Sequence, residues 1–162
     1  MKDHYEGITG IYFWRVLKKV VKIGDLKDKK VLDFGCGLKK LKTLIPNVIS
    51  YDKDPLFTEV VDWKNQDFEV VVASQVFYEM TSWEVETFLN ELRQVNPNAL
   101  LILTISRHGW LNKLGAWLFD KDAHKRYKLI PQQEWEILEP RVTVLKKTSV
   151  FFMCDIYLTK LK

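Results

Sequence analysis

Short apolar runs of strand length recur along the chain and alternate with segments of helical periodicity. We predict strands at 30–34, 48–51, 59–61, 68–73 and 99–105. The third run is brief, whereas the fourth and fifth are almost continuously apolar. Such continuous runs are typical of parallel strands that are buried on both faces.

The segments between these runs have apolar residues at helical spacing. We predict helices at 11–23, which Gly24 ends, and at 38–45, which Pro46 stops. A third helix begins at the capping box Thr81–Ser82–Trp83–Glu84 and closes at Pro97. The regular alternation of strand and helix predicts an α/β fold, in which an open, mostly parallel sheet carries helices on both faces.

The pattern changes after residue 106. A loop at 107–109 leads into an apolar helix that ends near residue 120, and a further short helix begins at Pro131. Two final strands, at 141–147 and 149–159, have no helix between them, so we expect them to be antiparallel.

Composition supports one folded domain over residues 1–162, because 47% of the residues are hydrophobic and 13% are aromatic. The net charge of +4 permits an anionic partner without arguing for one. No apolar run reaches the ~18 residues of a membrane span, and the N-terminus lacks the apolar core of a signal peptide. We therefore expect a cytoplasmic protein with no membrane partner. Cys36 and Cys154 suggest neither a disulfide framework nor a metal site.

The candidate chemistry lies in the stretch VLDFGCG and the strand after it. Gly35 and Gly37 lack a Cβ, so the backbone there can take positive φ and lie against a ligand. Asp52 lies nineteen residues after Asp33, about where the next parallel strand presents a carboxylate to the two hydroxyls of a ribose. The same residues also fit a dinucleotide site, although Lys40 occupies the third glycine position of that fingerprint.

Two segments resemble the class I S-adenosylmethionine-dependent methyltransferases, and in particular small, type-11-like methyltransferase domains. VLDFGCG is similar to the first motif of that family, V-L-D-x-G-C-G-x-G, and departs from it where Lys39 replaces the last glycine. FEVVVASQVFYEM is similar to the fourth strand and its loop, F-D-x-V-x-x-x-x-V-L-E-H-L, with Tyr78-Glu79 where the family often has Glu-His. The resemblance implies a Rossmann-like methyltransferase fold with a mostly parallel seven-stranded sheet and an antiparallel last strand beside strand five.

The resemblance also implies a cofactor, S-adenosyl-L-methionine, and a set of residues that bind it. Gly35 and Gly37, with Cys36 between them, would lie along the methionine part, Asp33 would hold the loop or the amino group, and Asp52 would bind the ribose. Asp62 would bind the adenine amino group, or serve only as a turn aspartate. Lys53, beside Asp52, and Ser74 and Gln75, at the tip of the predicted fourth strand, complete the predicted cofactor site.

Two residues are candidates for acid–base chemistry. Glu79 could orient the acceptor or take its proton, or it could be a helix-entry carboxylate. His124 is a candidate base because its ordinary pKa lies near neutrality. The alternative is that it is an ordinary surface histidine in a basic loop. In the resembling fold, residues 1–29 form an N-terminal helical segment and 107–139 form a lid-like insertion.

The implied function is methyl transfer, with a small molecule as the leading acceptor and protein or RNA left open. The N-P-P-Y-type motif of nucleic-acid amino-methylating enzymes is absent, because ASQVFYEM occupies its place. A second hypothesis is a methyltransferase-like binding protein without turnover, which Lys39 and the missing Glu-His pair favour. A third is a nicotinamide-dependent oxidoreductase, against which Lys40 counts. The sequence makes no prediction of the oligomeric state.

Overall fold

The computed structural model describes residues 5–107 and 128–162. Within them, six strands form a single sheet in the order β2-β1-β3-β4-β6-β5. The strands are β1 (Val31–Phe34), β2 (Val48–Tyr51), β3 (Val70–Ser74), β4 (Leu100–Ser106), β5 (Val142–Val150) and β6 (Cys154–Leu161). In this sheet β6 runs antiparallel to both of its neighbours, while β1 to β4 pair in parallel. The expected antiparallel last strand is therefore confirmed.

The prediction of seven strands is wrong for the part of the chain that the structure describes. Residues 59–61, predicted as the third strand, form an irregular segment beside β2. The Glu59 amide donates one hydrogen bond of 2.8 Å to the Ser50 carbonyl, but the Thr58 hydroxyl bonds to the Val60 carbonyl at 2.7 Å. A side-chain turn of this kind competes with a strand ladder. The segment therefore leaves the edge of β2 after this one backbone hydrogen bond, to which the Glu59 carboxylate adds a side-chain bond of 3.3 Å from the Ser50 amide.

Three α-helices pack on the sheet among the described residues: α1 (Gly7–Gly24), α2 (Ser82–Val95) and α3 (Pro131–Leu138). α1 buries Val16 and Val20 on one face of the sheet. α2 and α3 bury Leu89, Leu92 and Leu138 on the other. Helices on both faces are therefore confirmed. No helix in the described ranges is long and apolar enough to span a bilayer.

The helix predicted at 38–45 is only a short 3-10 helix, Lys40–Thr43. Lys39 precedes it with a left-handed φ of 55°, so the helix cannot begin earlier. Pro46 disfavours helical backbone at the residue before it, so the helix cannot extend further. Too few residues remain between the two for an α-helix of ordinary length.

The C-terminal hairpin turns later than predicted. Thr148, at the predicted break, pairs with Ile156, and the ladder runs on to the pair Val150 and Cys154. Two phenylalanines with positive φ, Phe151 at 50° and Phe152 at 57°, then reverse the chain. The polar residues near 148 lie on an edge strand, where polar side chains are tolerated and do not signal a turn.

Candidate functional site

The carboxyl ends of β1, β2 and β3 meet at one edge of the sheet. Asp33 of β1 stands beside Ser50 of β2 and Val72 of β3 in the parallel register. The loop after β1, the carboxylate after β2 and the end of β3 are therefore neighbours, as the sequence predicts. Ligands of open parallel sheets bind at this edge.

The glycine loop is held by the neighbouring strand. The amides of Gly35 and Cys36 donate to the Tyr51 carbonyl at 2.8 and 3.0 Å. Gly35 has a φ of 73°, and a Cβ on it would lie 2.5 Å from Cγ2 of Val76. Both the backbone conformation and the contact with Val76 therefore require glycine at this position.

Lys39 stands where the resembling motif has its last glycine. Its φ of 55° is the left-handed conformation that glycine adopts freely and that costs other residues roughly 1–2 kcal/mol. Its ammonium group lies 3.7 Å from a carboxylate oxygen of Glu59. The position that departs from the motif therefore keeps a glycine-like backbone conformation.

The Asp52 carboxylate is fixed beside the loop. One oxygen accepts a hydrogen bond of 2.9 Å from the Gly37 amide, and the other accepts one of 3.0 Å from the Asp54 amide. A carboxylate offers about four acceptor positions, so both oxygens keep capacity for further donors. The structure thus places the Asp52 carboxylate and the glycine loop together, while the binding of a ribose by Asp52 stays a prediction.

Asp33 is the unusual group of this edge. Its side chain is buried, with 6% of the residue exposed, and no hydrogen bond from the described residues reaches its carboxyl group. Burial, together with the nearby charges of Asp52 and Glu59, raises the pKa of Asp33 from 3.8 to about 7. Among the described residues, the one sealed side-chain oxygen without a partner is that of Ser50, so the Asp33 carboxyl oxygens keep some access to solvent. A cation that reached them would favour the ionised form of the carboxyl group.

The Cys36 side chain lies between the glycine loop and Phe57. Its thiol donates to the Phe57 carbonyl at 3.4 Å. Burial and the charges of Asp33 and Asp52 raise the pKa of this thiol to about 12. Cys36 therefore stays protonated and is not a nucleophile, while its role toward a cofactor stays a prediction.

Gln75 is turned toward β4. Its backbone amide donates to the Thr104 hydroxyl at 2.8 Å, and its side-chain oxygen accepts from the Ser106 hydroxyl at 3.2 Å. Ser74, at the end of β3, lies 3.5 Å from the same Thr104 hydroxyl. Gln75 also has a positive φ, 59°. Gln75 thus joins the ends of β3 and β4, while its role toward a cofactor stays a prediction.

Thr104 and Ser106 were missed by the sequence analysis. The available signal was the change from apolar to alternating polar residues at the end of the run 99–105. Polar residues at the carboxyl end of a buried parallel strand lie on the ligand-binding edge.

The other predicted residues have the following positions. Asp62 caps the short helix Trp63–Asn65, accepting from the Lys64 amide at 3.0 Å. Burial, followed by the charge of Asp62, raises the pKa of Tyr51 at the end of β2. Lys53 is exposed beside Asp52, and Glu79 is half-buried in the short helix Phe77–Glu79. His124 lies outside the described residues, as does 108–127 of the predicted 107–139 insertion. The binding and catalytic roles of these residues stay predictions.

No family model and no curated protein sequence matches the chain. Solved structures do match. Magnesium protoporphyrin IX methyltransferase from Synechocystis PCC 6803, with bound SAH, is 19% identical over 91% of this chain and 80% of that one, with a TM-score of 0.55. The chain has the class I methyltransferase fold.

Two further solved structures are more similar to this chain in shape. The PH0226 protein from Pyrococcus horikoshii OT3 has a TM-score of 0.63 at 13% identity, covering 98% of this chain and 93% of that one. Human N-acetylserotonin methyltransferase, in complex with SAM, has a TM-score of 0.61 at 12% identity, covering 91% of this chain and 52% of that one. At these identities the likeness concerns the class I methyltransferase fold alone.

Proposed function

We propose that the protein binds S-adenosyl-L-methionine at the glycine loop and transfers its methyl group to a small-molecule acceptor. The proposal is supported by the fold, by the two sequence segments and by the charge of the site. The observation that carries it is the buried, unpartnered carboxyl group of Asp33 beside Asp52.

The fit between site and cofactor is electrostatic. S-adenosylmethionine carries a positive sulfonium and a positively charged amino group, whereas this edge carries Asp33 and Asp52. A nearby cation favours the ionised form of a carboxyl group whose pKa burial has raised. Binding of the cofactor would therefore shift Asp33 from a half-protonated group to a charged one and release a fraction of a proton near pH 7.

The ribose would bind at Asp52. Its oxygens already accept from the amides of Gly37 and Asp54, so the carboxylate is held in place before a ligand arrives. Its remaining acceptor positions suit the two neighbouring hydroxyls of a ribose. The amides of Gly35 and Cys36 donate to the Tyr51 carbonyl, which fixes the shape of the loop. The methionine part would lie along this preformed bend, in contact with its backbone and without bonds to those two amides.

The bound cofactor supplies an already activated methyl group, so the protein has to align the acceptor and exclude water. Such alignment contributes ~7–11 kcal/mol to the lowering of a reaction barrier. Where the acceptor arrives protonated, Glu79 and His124 are the residues that we propose to orient it or to take its proton. Glu79 lies in the short helix directly after β3, on the ligand-binding side of the sheet.

A small acceptor is favoured by the structures that the chain resembles. These include small-molecule methyltransferases, such as the magnesium protoporphyrin IX and N-acetylserotonin enzymes. The glycine-like conformation of Lys39 also weakens one reason for expecting a protein that binds the cofactor without turnover. Formation of S-adenosylhomocysteine with any acceptor of a broad panel would exclude that alternative.

Calorimetric titration tests the cofactor site. We expect the protein to bind S-adenosylmethionine, and Asp52→Ala to weaken that binding by about tenfold or more, because a charged hydrogen-bond acceptor is lost. Asp67→Ala is the matched control, since Asp67 is an exposed aspartate at the opposite edge, where it pairs with Lys30. Equal affinities for all three proteins would remove the ribose assignment. In a thermal-shift comparison, stabilisation by a nicotinamide dinucleotide instead would favour the oxidoreductase hypothesis.

A further inference from the structure

A second concave site shares no lining residue with the edge that holds Asp33 and Asp52. A cleft of about 560 Å³ opens between the first half of α1 and the short helix Lys40–Thr43. This volume is in the range of small-molecule binding sites, roughly 300–1,000 Å³. Nothing in the proposed methyl transfer uses this cleft.

One wall of the cleft is aromatic and apolar. Tyr5 and Trp14 line it, with ring centroids 5.2 Å apart in an edge-to-face arrangement. Ile11, which is 58% exposed, and Leu44 continue the apolar surface. A ring of a ligand would pack here with the geometry that aromatic side chains favour.

The backbone of α1 is built to hold Tyr5 in this place. A Cβ on Gly10 would lie 2.3 Å from the Tyr5 carbonyl oxygen, so the residues before α1 fold back closely over the helix. The ammonium group of Lys40 lies 5.7 Å from the centre of the Tyr5 ring. The aromatic wall is therefore a defined part of the fold.

The rim of the cleft is cationic. Arg15 and Lys18, both exposed, line it one helical turn apart, and its lining within the described residues includes no acidic side chain. The whole of α1 contains no aspartate or glutamate. The guanidinium carbon of Arg15 lies 5.1 Å from the centre of the Phe151 ring, and such stacking leaves the N–H groups at the guanidinium edge for an acid. This guanidinium and the ammonium group of Lys18, beside an apolar wall, favour a ligand that carries both an acid and a ring.

We infer that the cleft lined by Tyr5, Trp14, Arg15 and Lys18 binds a small ring-bearing anion, either an aromatic carboxylate or an aromatic phosphate. The ring would lie on Tyr5 and Trp14, and the acid would face Arg15 and Lys18. The inference stands apart from the proposed methyl transfer, because binding here requires neither the glycine loop nor a cofactor.

Three probes with the same ring system separate charge from shape. Calorimetric titration of the full chain with 2-naphthoate and 2-naphthyl phosphate measures the two acid classes, and 2-naphthamide is the uncharged counterpart. We expect at least one of the acids to bind about tenfold more tightly than the amide, because only an acid pairs with the two cations. Its affinity should fall as the salt concentration rises.

Lys18→Ala and Lys22→Ala form a matched pair of variants. Both lysines are exposed on α1 and each variant removes one positive charge, but only Lys18 lines the cleft. We expect Lys18→Ala to weaken the better acid by about fivefold and to leave the amide unchanged, whereas Lys22→Ala should alter neither. Because both changes are on the surface, the variants should fold like the wild type.

Three results would overturn the inference. They are equal affinity for the acids and the amide, equal effects of the two lysine variants, and no binding of either acid up to about 10 mM, a concentration at which even very weak sites fill. Loss of binding in Lys18→Ala alone, with S-adenosylmethionine binding unchanged, would support it. A failure of the cofactor titration would leave this result standing, so the two proposals are tested separately.

Discussion

Replacing Asp33 with asparagine should stabilise the protein while weakening its binding of S-adenosylmethionine. The folded protein holds a proton on the buried Asp33 carboxyl group up to a pKa of about 7, whereas the ordinary value is 3.8. A carboxyl group with a raised pKa contributes stability that is complete below the unfolded-state pKa and is lost as the pH rises through the folded-state pKa. Wild-type stability should therefore fall between about pH 4 and pH 7.

The magnitude follows from the two pKa values. Raising the pKa from 3.8 to about 7 corresponds to ~4 kcal/mol in the free energy of unfolding. Roughly 2.5 kcal/mol of that is lost between pH 5 and pH 8. Asparagine has nearly the same shape and never ionises, so the advantage of Asp33→Asn over the wild type should be larger at pH 8 than at pH 5 by this amount.

Urea unfolding of both proteins at pH 5 and pH 8 measures the effect. Glu134, whose pKa burial also raises to about 7, titrates in both proteins and cancels in the comparison. Asp67→Asn, the same substitution at an exposed site, is the control. A stability difference between Asp33→Asn and the wild type that is the same at the two pH values would refute the reasoning. So would a variant that is less stable than the wild type at pH 8.

Four further changes can be measured by urea unfolding. Gly35→Ala should lower the free energy of unfolding by about 2 kcal/mol or more, because the new Cβ would clash with Val76 and because a φ of 73° strains alanine. Unchanged stability would show that the loop is not constrained. Lys39→Gly should raise the free energy of unfolding by ~0.5–1 kcal/mol, because the relief of left-handed strain exceeds the cost of glycine's greater backbone entropy in the unfolded state. A lower free energy of unfolding would contradict this account. Ser50→Ala should be neutral or stabilising by up to ~1 kcal/mol, since the Ser50 hydroxyl is buried without a partner among the described residues; a clear loss would reveal an unseen bond. Glu134→Gln should stabilise the protein at pH 8 more than at pH 5, and the reverse order would be inconsistent with its raised pKa.

Local sequence signals predicted the glycine loop and the Asp52 carboxylate well. The glycine turn, the neighbouring strands and the carboxylate at Asp52 are encoded within some twenty consecutive residues, and parallel pairing brings them together. The capping box at the start of α2 was also predicted correctly from the sequence. Thr81 and Glu84 bond reciprocally, at 3.2 and 2.6 Å, and these bonds hold the pKa of Glu84 down to about 2.

The features that could not be predicted from the sequence depend on contacts between residues that are far apart along the chain. The lack of a hydrogen-bond partner for Asp33 and the joining of Gln75 to Thr104 arise only when β1, β3 and β4 are side by side. The run at 59–61 has good strand propensity, but Thr58 closes a local turn that propensity does not register. Glu134 lies on the buried side of α3, although its residue type favours the exposed face.

The central claim is that the bend after β1 and the carboxylate of Asp52 together hold an adenosyl cofactor. A crystal structure of the protein grown with S-adenosylhomocysteine tests it most directly. We predict the amino-acid part of that ligand along Gly35–Gly37 near Asp33, and both ribose hydroxyls within hydrogen-bond distance of Asp52. A ligand bound elsewhere, or a ribose that Asp52 does not contact, would contradict the account.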